Sequence, residues 1–462
     1  MGIPAGIMVP HPPLIVPAVG RGEERGIAAT VGAYERAAAF VMSFAPETLI
    51  VVSPHTAMYA DYFHVSPGAG ASGNFAQFGA PQEAFDAAYD AEFVRGLEAA
   101  AKESGFPAGT LGGRDKRLDH GVTVPLYFIS RAAGKLPKIV RVGLSGLPLT
   151  EHYKFGRLIA ETAEKLGRRA AVVASGDLSH KLKADGPYGF SPDGPAYDGR
   201  VMDVMARADF GELFDFSEDF CDSAAECGHR SFVIMAGAFD GRSVRATRLS
   251  YEGPFGVGYG VCAFEGGVRE DSRRFLESYE EKEKARLARI RAAEDEYVRL
   301  ARASVEHYVR TGRRLEMPDG LPGDMTRRRA GVFVSLHEDG RLRGCIGTIA
   351  PATPCIAREI IDNGVSAAAR DPRFNPVELG ELDKLVYSVD VLEPPERIDS
   401  PSQLDVKKYG VIVTKGGRRG LLLPNLDGVN SIDEQIAIAK RKAGIAQGED
   451  IELERFEVTR HF

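Results

Sequence analysis

The chain has 462 residues, 44% of them hydrophobic, and a formal charge of -7. That length exceeds what one hydrophobic core usually serves, so two domains are expected. An acidic balance without a long basic tract argues against a nucleic-acid footprint or a polybasic membrane contact.

No run approaches the ~20 apolar residues needed to span a bilayer, and Met1-Gly-Ile-Pro opens no signal-peptide pattern. The expectation is a cytosolic protein. Cys221, Cys227, Cys262, Cys345 and Cys355 lack paired spacing, so neither a disulfide framework nor a zinc knuckle is expected.

From the N-terminus, short apolar, β-branched runs end repeatedly in polar chemistry. Ala5 to Val9 leads into Pro10-His11, Thr48 to Val52 into Ser53-Pro54-His55, Lys138 to Leu144 into a Ser-Gly turn, and Ala170 to Ala174 into Ser175-Gly-Asp-Leu-Ser-His180. Gly26 to Phe44, Pro81 to Glu103 and Leu149 to Leu166 between them read as helices. This pattern predicts a mostly parallel or mixed sheet with helices on both faces. Ligands of such sheets bind beyond the strand carboxyl ends, where the histidines fall. Gly253 to Gly260 lacks the Lys-Ser/Thr of a phosphate loop and reads as a turn and closing strand.

Residues 267–293 are densely charged and predict a helical connector, without the sustained heptads of a coiled-coil arm. Asp295 to Val309 predicts a helix with one apolar face, and Leu315 to Arg329 a loop. Asp339-Gly340 predicts a hairpin, Pro354 to Arg370 a helix and Leu385 to Leu392 a strand. Gly410 to Thr414 and Arg419 to Leu423 predict a second hairpin, and Ser431 to Lys442 a closing helix. The second domain, 294–462, is therefore expected to be a smaller α+β fold.

His11 and His55 each follow a proline at a predicted strand end, which places two imidazoles on one sheet edge. Neutral imidazoles ligate divalent metals, and a carboxylate compensates charge. Glu226 is the attractive third ligand. Two histidines and one carboxylate would leave open positions on Fe(II) for substrate and dioxygen. His180 can take a proton from a bound hydroxyl group, and His120 can donate one or orient an oxygen. The structural alternative is turn hydrogen bonding for both, with Asp119 and Asp177 as caps.

The segments His11-Pro-Pro, Ser53-Pro-His55, Asp119-His120-Gly-Val-Thr-Val-Pro-Leu126, Ser175 to His180 and Glu226-Cys-Gly resemble class III extradiol ring-cleavage dioxygenases of the protocatechuate 4,5-dioxygenase beta-subunit type. Memo proteins share that fold. The resemblance covers Met1 to Gly266. It implies Fe(II) held by His11, His55 and Glu226, with His180 as catalytic base and His120 as a further active-site histidine. Memo-like proteins place a cysteine before the glycine at the metal site, which points to Cys227 instead.

Leu342-Arg-Gly-Cys-Ile-Gly-Thr348, Ala367 to Phe374 and Lys442-Ala-Gly-Ile445 resemble the family named for the AMME-syndrome candidate protein. Arg343, Cys345, Arg370 and Arg373 are candidates to line a groove there, against the simpler reading of Cys345 as a buried thiol. The two-module chain is similar to a protein of the AmmeMemoRadiSam system.

The resemblance implies an extradiol dioxygenase acting on a catechol or o-aminophenol-like aromatic with O2. The alternatives are a Memo-like metal protein acting with a radical-SAM partner and a non-catalytic protein-binding module. A homodimer is compatible with either.

Overall fold

The computed structural model describes residues 2–113, 117–426 and 428–462. Its contacts divide into two units, Met1–Glu281 and Lys282–Phe462.

The first unit runs in the order β1 (Gly2–Val9), α1 (Ala28–Ser43), β2 (Thr48–Val52), β3 (Gly70–Phe75), β4 (Ala80–Ala88), α2 (Ala91–Ser104), α3 (His120–Ala133), β5 (Lys138–Val142) and α4 (Leu149–Lys165). It continues with β6 (Arg169–Ser175), α5 (Asp193–Arg207), α6 (Glu218–Ala224), α7 (His229–Ala238), β7 (Arg242–Glu252), β8 (Tyr259–Arg269) and the start of α8 (Phe275–Ala293).

Six strands form one mixed sheet in the order β5-β2-β6-β1-β8-β7. β5, β2, β6 and β1 pair in parallel, while β8 runs antiparallel to both β1 and β7. All five residues of β2 are buried, as expected of a strand covered on both sides. Alternate residues sort to opposite faces. Leu49 and Val51 join a core with Tyr34 of α1 and Leu126 of α3. Ile50 and Val52 join another with Phe93 of α2, Phe155 of α4 and Phe232 of α7. The parallel pairing brings the carboxyl ends of β1, β2 and β6 to one edge, so the segments carrying His11, His55 and His180 start side by side.

The second unit contains α9 (Glu296–Thr311), β9 (Val332–Glu338), β10 (Arg341–Gly347), α10 (Ile356–Ala369), β11 (Val386–Leu392) and β12 (Glu396–Ile398). β13 (Gly410–Lys415), β14 (Arg418–Leu422), α11 (Ile432–Lys442), β15 (Glu452–Phe456) and β16 (Val458–His461) complete it. Two four-stranded antiparallel sheets result, β10-β9-β11-β16 and β12-β15-β13-β14. Asp339 and Gly340 take φ of 51° and 80°, the left-handed pair that a tight two-residue hairpin requires. Asp295 caps α9 by accepting hydrogen bonds from the Tyr297 and Val298 amides, and Val298, Ala301 and Val305 form its buried face.

Three expectations change in detail. Pro81 to Ala88 is strand, paired with β3, and the helix begins only at Ala91. The Asp90 carboxylate accepts the Phe93 amide and so fixes that start. Within Leu315 to Arg329, a short helix at Gly323–Arg327 buries Met325. In the 267–293 segment, β8 extends to Arg269, and α8 places Leu276 in the first unit's core.

Candidate metal centre

His11 stands two residues beyond β1. Its amide donates to Asp177 Oδ1 at 2.8 Å, and its Nδ1 pairs with Ser175 Oγ at 2.9 Å. Ser175 is placed for this because it lies opposite Val9 in the β1–β6 register. With Nδ1 engaged, Nε2 is the free donor. It lies 3.0 Å from His55 Nε2 and 3.6 Å from Cys227 Sγ.

His55 reaches this point from a turn tied to the neighbouring strands. Its amide donates to Ser53 Oγ, which donates in turn to Asp119 Oδ1 at 2.6 Å. Thr56 and Arg141 both donate to Asp119 Oδ2, at 3.0 and 2.7 Å. Arg141 also donates through Nε to Thr56 Oγ1. Asp119 immediately precedes α3, and its backbone carbonyl accepts the Val122 and Thr123 amides, so the residue anchored to the His55 turn also leads into His120 at the first helical position. A Cβ on Gly121 would lie 2.3 Å from Ser53 Oγ, and glycine there lets the helix end approach the His55 turn. The His120 and His55 ring centroids are 4.0 Å apart.

Cys227 is brought in by a contact between backbones. A Cβ on Gly176 would lie 2.1 Å from the Gly228 Cα. The Cys227 amide donates to the Asp177 carbonyl, and the Asp177 amide donates to Cys227 Sγ at 3.3 Å. Ala225, at φ 53°, turns the chain between α6 and this contact.

Glu226 goes elsewhere. Its Oε2 accepts the His229 amide at 2.5 Å at the start of α7, where the exposed peptide donors favour a carboxylate. Burial nevertheless pushes its carboxyl up to about 7.

Two groups of ligand atoms therefore gather, each within 4.8 Å: His11, His55 and His120, and His11, Asp177 and Cys227. Glu226, expected as the third ligand, is in neither group, and its Oε2 lies on the His229 amide. The physical reason is the αL residue before it and the helix start after it. Together they point consecutive side chains in different directions.

Electrostatics keep the imidazoles neutral. Burial, reinforced by His55, lowers His11 to about 3. Burial, His55 and His11 do the same to His120, and burial lowers His55. Asp119 lies below the usual carboxylate range: burial opposes this, but the Arg141 charge and the Ser53, Arg141 and Thr56 hydrogen bonds outweigh it. Burial raises Asp177 to about 6 and holds the Cys227 thiol protonated in the absence of a cation.

Neutral imidazoles beside a thiol are a donor set for a transition metal. Donors sharing one ion at about 2.0–2.3 Å stand roughly 3–4 Å apart, and the His11–His55 and His11–Cys227 separations of 3.0 and 3.6 Å are each of that order.

His180 lies at the rim, half-buried. Its amide donates to the Ala224 carbonyl, and its Nδ1 lies 2.5 Å from the Ala225 carbonyl oxygen. A carbonyl only accepts, so Nδ1 carries a proton, and in the neutral ring that leaves the lone pair on Nε2. Tyr188 packs edge-on at 5.3 Å. Beyond the capping roles it allows Asp119 and Asp177, the sequence does not single out Ser175 or the Asp119–Arg141 pair as supports of the site. The readable signal was Arg141, a charge within the buried strand Lys138–Val142, which requires a carboxylate partner.

Residues 5–262 match the family described as the catalytic LigB subunit of aromatic ring-opening dioxygenase, and residues 298–461 match AMMECR1. Protein CA_C1420 of Clostridium acetobutylicum is 41% identical over 463 residues, covering 98% of this chain and 98% of its own length. A protein of Thermotoga maritima is 52% identical over 170 residues, covering 36% of this chain and 98% of its own. The crystal structure of protein PH0010 from Pyrococcus horikoshii aligns at 36% identity and a TM-score of 0.34, over 36% of this chain and 88% of that one. No helix among the described residues is long and apolar enough to cross a membrane. The chain belongs to the family of the catalytic LigB subunit of aromatic ring-opening dioxygenases, which it carries fused to a C-terminal AMMECR1 domain.

Proposed function

We propose that the first unit is a non-haem iron enzyme that opens the ring of a catechol or o-aminophenol-like aromatic using O2. His11, His55 and Cys227 would hold the Fe(II). The observation that carries this reading is that His55 Nε2 and Cys227 Sγ both approach His11 Nε2, at 3.0 and 3.6 Å. When bound, Fe(II) supplies open positions where the substrate's adjacent heteroatoms and dioxygen can meet and exchange electron density.

The chain's own residues do the rest. His180, with Nδ1 donating to the Ala225 carbonyl, offers Nε2 to accept a ring-hydroxyl proton. His120 is held neutral, so it contributes an N–H to an oxygen of the substrate and not a positive charge. Asp119, Ser53, Thr56 and Arg141 hold the His55 turn and the His120 helix end in one frame.

Anaerobically prepared protein loaded with Fe(II) and mixed with a catechol panel and O2 should yield a ring-opened chromophore with stoichiometric oxygen uptake. Bound metal without turnover would reject ring cleavage. It would leave the second reading, a Memo-like metal protein acting on another molecule with a radical-SAM partner. One observation favours that reading: Cys227, and not Glu226, lies beside His11.

A further inference from the structure

The segment that carries His180 is held on two sides. On one side stands the end of α6. Ser179 Oγ and the His180 amide both donate to the Ala224 carbonyl, at 2.8 and 3.2 Å, and His180 Nδ1 donates to the Ala225 carbonyl. On the other side the Leu178 amide donates to the Gly258 carbonyl, and the Gly258 amide donates to the Ser179 carbonyl. The Ser179 amide donates to Asp198 Oδ1 at 2.8 Å.

Asp198 reaches Ser179 because α5 lays one face on it. Gly194 and Asp198 are four residues apart in that helix and so lie on the same face. A Cβ on Gly194 would stand 2.7 Å from Ser179 Oγ, and a Cβ on Gly258 would stand 2.0 Å from Asp198 Oδ2. Both glycines leave the room that the carboxylate's approach uses. Tyr251 of β7 donates to the second oxygen, Oδ2, at 2.8 Å.

Asp198 is fully buried, and no cation pairs with it among the described residues. Burying a carboxylate without a counter-charge is costly, and burial pushes this one up to about 6 against its two hydrogen bonds. A neutral acceptor would satisfy one peptide N–H at less cost. The carboxylate adds a stronger, charge-assisted hydrogen bond at the residue directly before His180.

We propose that Asp198 is a positioning residue: by fixing the Ser179 peptide it holds the His180 ring where Nδ1 meets the Ala225 carbonyl, which leaves the Nε2 lone pair for the substrate proton. This rests on His180 acting as the base of the proposed ring cleavage. Asp198 acts only through Ser179.

The tautomer of His180 tests this without any turnover. In full-length, metal-free protein isotopically labelled at the histidine nitrogens, the His180 signals are those that NMR loses in His180→Gln. Wild type should show a neutral ring protonated on Nδ1, the minor form of an imidazole free in water. Asp198→Ala should lower the ratio of the Nδ1-protonated to the Nε2-protonated form by roughly fivefold or more, as loss of one buried hydrogen bond implies. Asp198→Asn keeps an acceptor for the Ser179 amide and should restore most of that ratio. Tyr251→Phe, at a half-buried position, removes only the donor to Oδ2 and should move the ratio in the same direction with the fold intact. It alone decides if Asp198→Ala does not fold.

With a catechol that the Fe(II)-loaded wild type opens, Asp198→Ala should lose at least about tenfold in kcat at unchanged KM and metal content. Wild type without turnover would reject ring cleavage but not the positioning, which the tautomer ratio decides. A His180 ring that keeps the wild-type ratio in Tyr251→Phe and in folded Asp198→Ala would overturn the proposal.

Discussion

Gly176 and Gly228 meet backbone to backbone: a Cβ on the first would stand 2.1 Å from the Cα of the second. That contact sets Cys227 beside Asp177 and His11. Gly176→Ala must therefore push the β6 turn and the α6–α7 turn apart. We expect it to cost about 1–3 kcal/mol of stability, as overpacking does, and to weaken metal binding although no ligand is altered. Thermal unfolding and metal titration of the same variant check both outcomes.

The two adjacent candidates for the third ligand separate by substitution. Cys227→Ser should lower metal affinity by at least about tenfold, because a borderline metal loses its thiolate. Glu226→Gln should leave metal content intact and loosen the start of α7, since its carboxylate accepts the His229 amide. Equal metal loss in both variants would contradict this assignment.

Asp119→Asn tests the frame behind the histidines. The carboxylate accepts from Ser53, Thr56 and Arg141, and the variant removes the negative charge that Oδ2 presents to buried Arg141. Metal affinity should fall roughly 10–100-fold, as it does when groups that orient ligands are lost. Isothermal titration with Fe(II) under anaerobic conditions measures it.

His180→Ala separates binding from proton transfer. It should retain metal and slow turnover of a catechol by ~10²-fold or more. Full turnover would remove the proposed base.

In the second unit, Asp371 is buried, and its hydrogen bonds with Arg373 lower its carboxyl from 3.8 to about 2. A carboxylate with a depressed folded pKa stabilises the fold above its unfolded pKa and loses that contribution as pH falls through the folded value. The Asp371 contribution, roughly 1–2 kcal/mol after allowing for the exposed side of Arg373, should therefore be intact above pH 4 and disappear between about pH 4 and 2. Denaturant titrations across that window should converge for wild type and Asp371→Asn at the acid end. A constant difference between them would contradict the assignment.

Much of this arrangement is legible in the sequence because it is local. Buried parallel strands are short apolar runs, and their carboxyl ends carry the histidines, so His11 and His55 mark one sheet edge without any three-dimensional information. The hairpin at Asp339-Gly340 is equally local, since two left-handed residues need those side chains.

What stays hidden depends on long-range or single-residue geometry. Adjacent Glu226 and Cys227 differ by only one residue in their spacing from every other motif. Only the left-handed Ala225, the helix start at His229 and the Gly176–Gly228 contact decide which one faces inward. Likewise, the alanine-rich stretch from Ala80 to Ala88 favours a helix by itself, yet its backbone pairs with β3. Tertiary hydrogen bonding overrides propensity there.

The most direct measurement is X-ray absorption at the metal edge of the Fe(II)-loaded protein, paired with metal stoichiometry of His55→Ala. We predict one metal per chain, with nitrogen donors and a single sulfur at about 2.3 Å that vanishes in Cys227→Ser, and loss of metal from His55→Ala. A shell of nitrogen and oxygen unchanged by Cys227→Ser, or a His55→Ala protein that binds metal like wild type, would contradict a centre built from His11, His55 and Cys227.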